Sequence, residues 1–294
     1  MEQTGDQVEI AEQLEPSGSD MPVECSAPHF AAGPAQPAPA SFVYAIGRVE
    51  LRFPSLAVEK EFIQATGRGN TAGQTDRQVL RSVLDDRANR YLARQVCWVF
   101  TIEGLDTYIL VPRDPADVDL LIDAVRPDPG ADDVDVVIGV RGPIAQSNVC
   151  NGLLVPIVVF DQLYSFARDE FIGEIPRLEG QAQEKFRATA GELFDRIGQV
   201  TDNAGATDDH RALNYLAVRY PAIYARAAEA HTTESTLTAI EVRPSPLSGT
   251  RSVMDVIFSY THRRTDVTEK HFCRVDVTEK WPYLITKLSP YFDR

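Results

Sequence analysis

The chain has 294 residues, of which 44% are hydrophobic and 24% are charged, and its formal net charge is −14. This length allows one large domain or two small ones with a sizeable core. Half of the net negative charge lies in the first 40 residues, which contain seven acidic residues and no Lys or Arg. Because no basic stripe provides the positive surface that phosphate binding needs, a nucleic-acid partner is not expected.

The sequence also argues against a membrane protein. It shows no basic segment followed by an apolar run at the N-terminus, and no segment reaches the roughly 20 apolar residues that a transmembrane helix needs. We therefore expect no membrane partner and a reducing, cytoplasmic location. The four cysteines, Cys25, Cys97, Cys150 and Cys273, form no CxxC pair, so neither a disulfide framework nor a simple zinc ribbon is indicated.

The N-terminal part of the chain has the composition of a tail. Residues 1–41 combine the acidic run with the stretch AAGPAQPAPAS and are predicted to be disordered. An ordered domain is predicted over 42–294, with 42–176 and 177–294 as candidate subdomains.

The first ordered elements are a strand and two capped helices. β-Branched and aromatic residues predict a strand over 42–53. Ser55 is predicted to cap the helix that follows, and Thr75 with Gln78 forms the capping box of a second helix. The apolar runs CWVFTI and TYILVP flank a turn at 103–106 and predict a hairpin.

A helix and two strands are predicted next. Asp114 followed by Pro115 marks the start of a short helix. The runs VDVVIGV and LLVPIVVF predict two more strands, and Pro156 in the second run indicates a sheet edge or a bulge.

The second half changes from helical to strand periodicity. Apolar spacing predicts a helix over 181–202, and Thr207 caps a second helix that Pro221 should kink or end. These two helices are predicted to form a central helical hairpin. The last sixty residues alternate with a period of two, which predicts a three-stranded antiparallel meander. The predicted fold class is therefore α+β, with mixed strands and helices, the helical hairpin and a C-terminal antiparallel β-meander.

One candidate metal site lies in the predicted meander. If the turn over 261–270 places His262 opposite His271, then Cys273 lies two residues further along the same face. Two imidazoles and a thiolate would bind zinc, with the fourth ligand from elsewhere in the chain or from water. The alternative is that Cys273 alternates inward with Val275 and Val277 as a small buried hydrophobic residue.

Cys97 and Cys150 suggest a second candidate metal site. Each begins a strongly apolar stretch, so both are expected to be buried free thiols. The alternative is that they meet in space and hold a structural zinc, together with a histidine such as His210. No other cofactor is expected.

The segment DDHRALNYLAVRYP is the densest polar cluster in the sequence. Asp209, His210, Asn214 and Tyr215 are candidates for a ligand pocket on the predicted second helix. Capping explains the acidic residues equally well, and the amide and the phenol also suit the core. The sequence contains no protease triad and no complete catalytic motif, so catalysis is not expected.

Five long stretches occur in an order typical of one known family: FVYAIGRVELRFPSLAVEKEFIQATGR, NRYLARQVCWVFTIEGLDTYILVPRDPADVDLLI, CNGLLVPIVVFDQLYSF, DNAGATDDHRALNYLAVRYPAIY and RPSPLSGTRSVMDVIFSYTHRRTDVTEKHFCRVDVTEKW. Together they resemble the C-terminal domain of unknown function of the cyanobactin maturation proteases PatA and PatG. The resemblance runs from about residue 42 to the C-terminus. In those proteases a subtilisin-like domain cleaves or macrocyclises the precursor. This sequence shows no such domain, so the resemblance implies neither activity here.

The resemblance implies a role in making ribosomal peptide natural products. We expect a non-catalytic accessory module that binds a precursor peptide or a partner maturation enzyme, and a homodimer is compatible with this role. The alternative, which the cysteines and histidines suggest, is a zinc-dependent peptide-modifying enzyme.

Overall fold

A computed structural model describes residues 41–67, 72–176 and 182–292. Residues 1–40, and with them nearly all of the predicted tail, lie outside the described residues. The strands are β1 (Ser41–Arg52), β2 (Cys97–Ile102), β3 (Leu105–Pro112), β4 (Asp133–Ile144), β5 (Pro156–Ala167), β6 (Ser235–Pro244), β7 (Val253–His262), β8 (Thr268–Asp276) and β9 (Tyr283–Tyr291). The helices are α1 (Leu56–Thr66), α2 (Asp76–Asp85), α3 (Arg90–Ala93), α4 (Val118–Ala124), α5 (Arg168–Glu174), α6 (Gln183–Gly198), α7 (Asp208–Arg219) and α8 (Ala222–Thr232).

The first five strands form a closed barrel in the order β1-β2-β3-β5-β4. All neighbours are antiparallel except β3 and β5, which are parallel. Alternate side chains point inward and form one buried cluster that includes Trp98, Phe100, Tyr108 and Phe160. Since β5 has a partner on each side, the edge-strand interpretation of Pro156 is wrong. The bulge interpretation is confirmed, because Pro156 pairs with Ile144 beside a register shift.

A loop covers part of the outer surface of the barrel. Outward side chains of β2, β3 and β5, including Val99 and Ile109, pack against residues of the 145–155 segment. Five-stranded barrels of the OB type bind oligonucleotides or oligosaccharides on the outer face of strands 2 and 3. In this chain the corresponding face is already occupied by the chain's own loop.

The predicted helix starts are confirmed by hydrogen bonds. The Ser55 Oγ accepts a hydrogen bond from the Val58 N–H (3.4 Å). The Thr75 hydroxyl accepts one from the Gln78 N–H, and the Gln78 side chain accepts one from the Thr75 N–H. Asp114 caps a 3₁₀ turn that leads into α4.

The outer face of β1 and β4 packs against α6, α7 and α8. The connection between α6 and α7 lies directly on β1, where the Tyr44 N–H donates to the Gly205 carbonyl (2.9 Å). The Tyr108 hydroxyl of β3 donates to the Ala204 carbonyl of the same connection (2.8 Å). Gly205 has a φ of +69°. A Cβ at this position would press on the Tyr44 carbonyl oxygen and lie 2.6 Å from the Ala45 Cα.

The helical region contains one more helix than the sequence predicted. α6 buries the expected face, including Phe186, Leu193 and Ile197. α7 starts at its Thr207 cap and ends at Arg219, as the position of Pro221 indicates. The chain then continues as α8, which packs on α6. The predicted hairpin is therefore a layer of three helices.

The C-terminal strands form a four-stranded antiparallel sheet in the order β6-β7-β8-β9. The antiparallel meander and the α+β class are confirmed, but β9 was not predicted. Each edge strand forms a hydrogen bond with the helical layer: Arg196 donates to the Leu237 carbonyl of β6, and the Leu288 N–H of β9 donates to the Tyr220 hydroxyl (2.9 Å). Within the described ranges, no helix is long and apolar enough to cross a membrane.

Candidate functional site

The register of β7 and β8 separates the two histidines of the first candidate metal site. His271 pairs with Phe258, and Thr268 pairs with Thr261. His262 lies at the end of β7, where its Nδ1 accepts the backbone N–H groups of Arg264 (3.2 Å) and Thr265 (3.3 Å). The predicted pairing of His262 with His271 is therefore wrong, because the actual turn is shorter than the one that pairing requires.

The alternative interpretation of Cys273 is confirmed. Its side chain is fully buried in the same cluster as Val275 and Val277. Burial raises the pKa of the Cys273 thiol to about 12. Over 41–67, 72–176 and 182–292, no group of three or more His, Cys, Asp or Glu residues is placed to hold a metal ion.

Cys97 and Cys150 do meet in space, but as a disulfide with a Cα–Cα distance of 5.9 Å. The expectation of two free thiols is wrong. The bond attaches the loop over 145–155 to the outer face of β2. No CxxC motif marks this pair, because the two cysteines are 53 residues apart.

Thiol counting tests this connectivity. Cys25 lies outside the described residues, so we expect the assay to be clearest in a Cys25→Ser background. The folded protein should react slowly with a thiol reagent, because Cys273 is buried and its pKa is raised. In denaturant, one thiol should react before reduction and three after it. Three reactive thiols in denaturant without reduction would contradict the disulfide.

The polar cluster on α7 is divided among three structural roles. Burial would raise the pKa of Asp209, but a hydrogen bond with Thr207 and the neighbouring His210 lower it, as expected at a helix start. Asn214 is fully buried and pairs with Asn203 through two side-chain hydrogen bonds of 2.8 and 3.1 Å. Tyr215 packs edge-on against Tyr44. These residues line none of the cavities described below.

A different part of the same region forms a groove, which we call the helix–sheet groove. It lies between α6, α8 and the adjoining ends of β6 and β7. It contains two neighbouring cavities of about 180 and 220 Å³ that share Thr189 and His231. The groove exists because alanines, Ala188 on α6 and Ala227 and Ala228 on α8, occupy the facing positions of the two helices.

The larger cavity is the Lys185 cavity, and the smaller one, of about 180 Å³, is the Tyr260 cavity. Tyr260 is only 2% exposed, and its hydroxyl has no hydrogen-bond partner among the residues that the structure describes. Burial raises the pKa of Tyr260, so the hydroxyl keeps its proton and serves as a donor. The Arg226 guanidinium lies over the ring, 5.4 Å from its centre, and is itself paired with Glu229 and Glu269.

His271 packs against Tyr260 and is not one of the residues that line the groove. The two rings meet edge-on with centroids 6.3 Å apart. Burial, together with the positive charge of Arg226, lowers the pKa of His271, so the imidazole is neutral at pH 7. This candidate metal ligand is therefore part of the packing that holds Tyr260 in place.

Polar and charged side chains lie at the mouth of the Tyr260 cavity. Arg263, His231 and Glu192 line it and are exposed. Within the described part of the chain, none of the three makes an ion pair or a side-chain hydrogen bond. Leu193 and Leu237 supply apolar walls. The cavity thus combines apolar walls, a buried hydroxyl and two charged side chains, those of Glu192 and Arg263, that make no ion pair with the described residues. This combination is typical of a site for a small polar group.

Residues 180–291 match the sequence model of the family described as PatG C-terminal. A solved structure described as the PatG domain of unknown function has a TM-score of 0.69 and 20% identity, covering 85% of this chain and 98% of that one. No curated protein matches the sequence. Every residue named as lining the helix–sheet groove lies within the matched segment.

Proposed function

We propose that the chain, whose residues 180–291 match the PatG C-terminal family, is a non-catalytic accessory module in cyanobactin-like ribosomal peptide biosynthesis. Its partner is the precursor peptide, which it binds in the helix–sheet groove. The observation that carries this proposal is the buried Tyr260 side chain, whose hydroxyl has no partner among the described residues, in a groove that lies wholly inside the matched segment.

The size of the groove supports a peptide ligand. An apolar cavity of about 150 Å³ holds a benzene molecule. Each of the two cavities, of about 180 and 220 Å³, therefore has room for one side chain or one peptide unit. Because the cavities share Thr189 and His231, neighbouring units of one extended chain reach both.

The chemistry of the groove supports binding rather than catalysis. A nucleophile needs a base within hydrogen-bond reach. The Tyr260 hydroxyl has no such partner among the described residues, and burial raises its pKa further. The group is suited to donating a hydrogen bond to a ligand, and the residues around it are suited to recognition.

Binding measurements with a groove-filling variant test the proposal. Any precursor peptide and maturation enzymes found in the genomic neighbourhood should be titrated against the chain, and we expect the precursor to bind at tens of micromolar or tighter. Ala188→Leu places a larger side chain in the groove and should weaken binding about tenfold or more. Ala239→Leu is the matched control, because Ala239 is exposed on β6 outside the groove.

Three outcomes separate the possibilities. Loss of affinity in Ala188→Leu alone supports the groove. Equal affinity in both variants would place the peptide elsewhere on the chain. Absence of binding to the precursor and to every neighbouring enzyme at these concentrations would reject the proposed function, whereas binding to an enzyme alone would replace the peptide with that enzyme as the partner.

A further inference from the structure

We propose that the Tyr260 cavity is a subsite for a carboxylate carried by the bound peptide, an inference that rests on the proposed function. Its basis is that Tyr260, whose buried hydroxyl has no hydrogen-bond partner among the described residues, lines the cavity together with Arg263, whose guanidinium makes no ion pair with those residues. The peptide's C-terminus and the side chain of an acidic residue both present this group.

The buried hydroxyl indicates what the ligand must provide. The large majority of buried polar side-chain atoms in proteins have a hydrogen-bond partner, and a missing partner is destabilising. Tyr260 is 2% exposed and lacks one among the described residues. Because the phenol retains its proton, a hydrogen-bond acceptor on the ligand would satisfy its O–H group.

The charges at the mouth indicate that this acceptor is anionic. Arg263 lines the cavity and pairs with no acidic group in the described ranges. A guanidinium binds a carboxylate through two parallel hydrogen bonds, and charge-assisted bonds are about twice as strong as neutral ones. His231 and the hydroxyls of Thr189, Ser235 and Thr236 add further donors.

One lining residue opposes this assignment and sharpens its test. Glu192 is an acidic residue on the α6 side of the cavity, and it makes no ion pair with described residues. It repels a bound carboxylate. The Glu192→Gln variant should therefore bind the carboxylate a few-fold more tightly, whereas a cationic ligand would bind it more weakly.

The volume limits the ligand to a small group. About 180 Å³ holds a carboxylate and the carbon atoms next to it, with the adjoining side chain against Leu193 and Leu237. The rest of the peptide then extends past His231 into the Lys185 cavity, which begins at the same residue.

Short peptides test the inference by calorimetry. The probes are acetyl-alanyl-leucine with a free carboxylate, the same peptide as its C-terminal amide, and acetyl-alanyl-glutamyl amide. We expect the free acid to bind about tenfold more tightly than its amide, because the charge-assisted bonds are lost in the amide. Equal binding by acetyl-alanyl-glutamyl amide would identify the side chain as a second source of the carboxylate.

Variants assign the effect to the cavity. Tyr260→Phe removes only a hydroxyl that has no partner in the described structure, so the fold should be retained. It and Arg263→Gln should each weaken binding of the acid about tenfold and reduce the preference for acid over amide. Arg264→Gln is the matched control, because this neighbouring residue pairs with Glu234 and does not line the cavity. It should change affinity less than about twofold.

The outcomes distinguish this inference from the proposed function. Equal binding of acid and amide, or equal losses in Arg263→Gln and Arg264→Gln, would overturn the inference even if the precursor binds. Absence of dipeptide binding up to about 10 mM while the precursor binds would overturn it as well. Acid-selective binding without precursor binding would uphold the subsite and reject the proposed function.

Discussion

Replacing Gly205 with alanine should lower the free energy of unfolding by about 3–4 kcal/mol. A non-glycine residue at positive φ costs about 1–2 kcal/mol, and overpacking a tight site adds about 1–3 kcal/mol. Both costs apply here, because φ is +69° and the new Cβ would press on the backbone of Tyr44 and Ala45 in β1. Urea unfolding followed by far-UV circular dichroism measures the change.

The matched control separates the two costs. Gly249 also has a positive φ, of +55°, but a Cβ there meets no atom within 4 Å. Gly249→Ala should therefore cost only about 1–2 kcal/mol. Similar losses in the two variants would show that the α6–α7 connection does not lie tightly against β1.

Replacing Asn214 with alanine should destabilise the protein by about 3 kcal/mol. Its side-chain NH₂ donates to the Tyr44 carbonyl (2.8 Å) and to the Asn203 side chain (3.1 Å), and its side-chain oxygen accepts from Asn203 (2.8 Å). Truncation leaves buried groups on both neighbours unsatisfied, at about 1–3 kcal/mol each, with only partial additivity. Thermal and urea unfolding measure this loss.

Asn89→Ala is the matched control, because it truncates a buried asparagine that lacks those hydrogen bonds. Asn89 is 7% exposed, and its side chain makes no hydrogen bond with the described residues. Asn89→Ala should therefore cost about 1 kcal/mol. If Asn214 instead served a ligand, Asn214→Ala would match this control in stability and lose affinity for the peptide.

Local signals in the sequence were sufficient to locate most helices. The side chains of Ser55, Thr75 and Thr207 accept hydrogen bonds from the first turns of α1, α2 and α7, as their positions predict. These predictions succeed because a cap acts over three residues and depends little on the rest of the fold.

Long-range pairing could not be predicted in the same way. Closure of the barrel depends on pairs such as Tyr44 with Ile138, and alternation along each strand does not specify its partner. The disulfide joins residues 53 positions apart for the same reason. β9 was missed because Pro282 and Pro290 frame a stretch with weak alternation, and its edge position tolerates both features.

The candidate site was also hidden from sequence reasoning. Tyr260 lies on the inward-facing side of β7, so the sequence pattern predicts an ordinary core aromatic residue at this position. Its distinctive property is a hydroxyl without a partner, and that depends on the neighbours that α6 and α8 bring. The sequence instead predicted a ligand pocket at the polar cluster on α7, although the hydrogen bonds of the Asn214 side chain are made within the fold.

The anchoring of β1 has a consequence for the order of folding. The Tyr44 carbonyl accepts its hydrogen bond from Asn214, 170 residues further along the chain. Contacts across such long separations slow folding, because the loop must close before they contribute. In a growing chain, β1 therefore lacks Asn214 and the rest of α7, which pack on its outer face, long after its strand partners β2 and β4 have been made. During that time its apolar residues are exposed to chaperones and to other nascent chains.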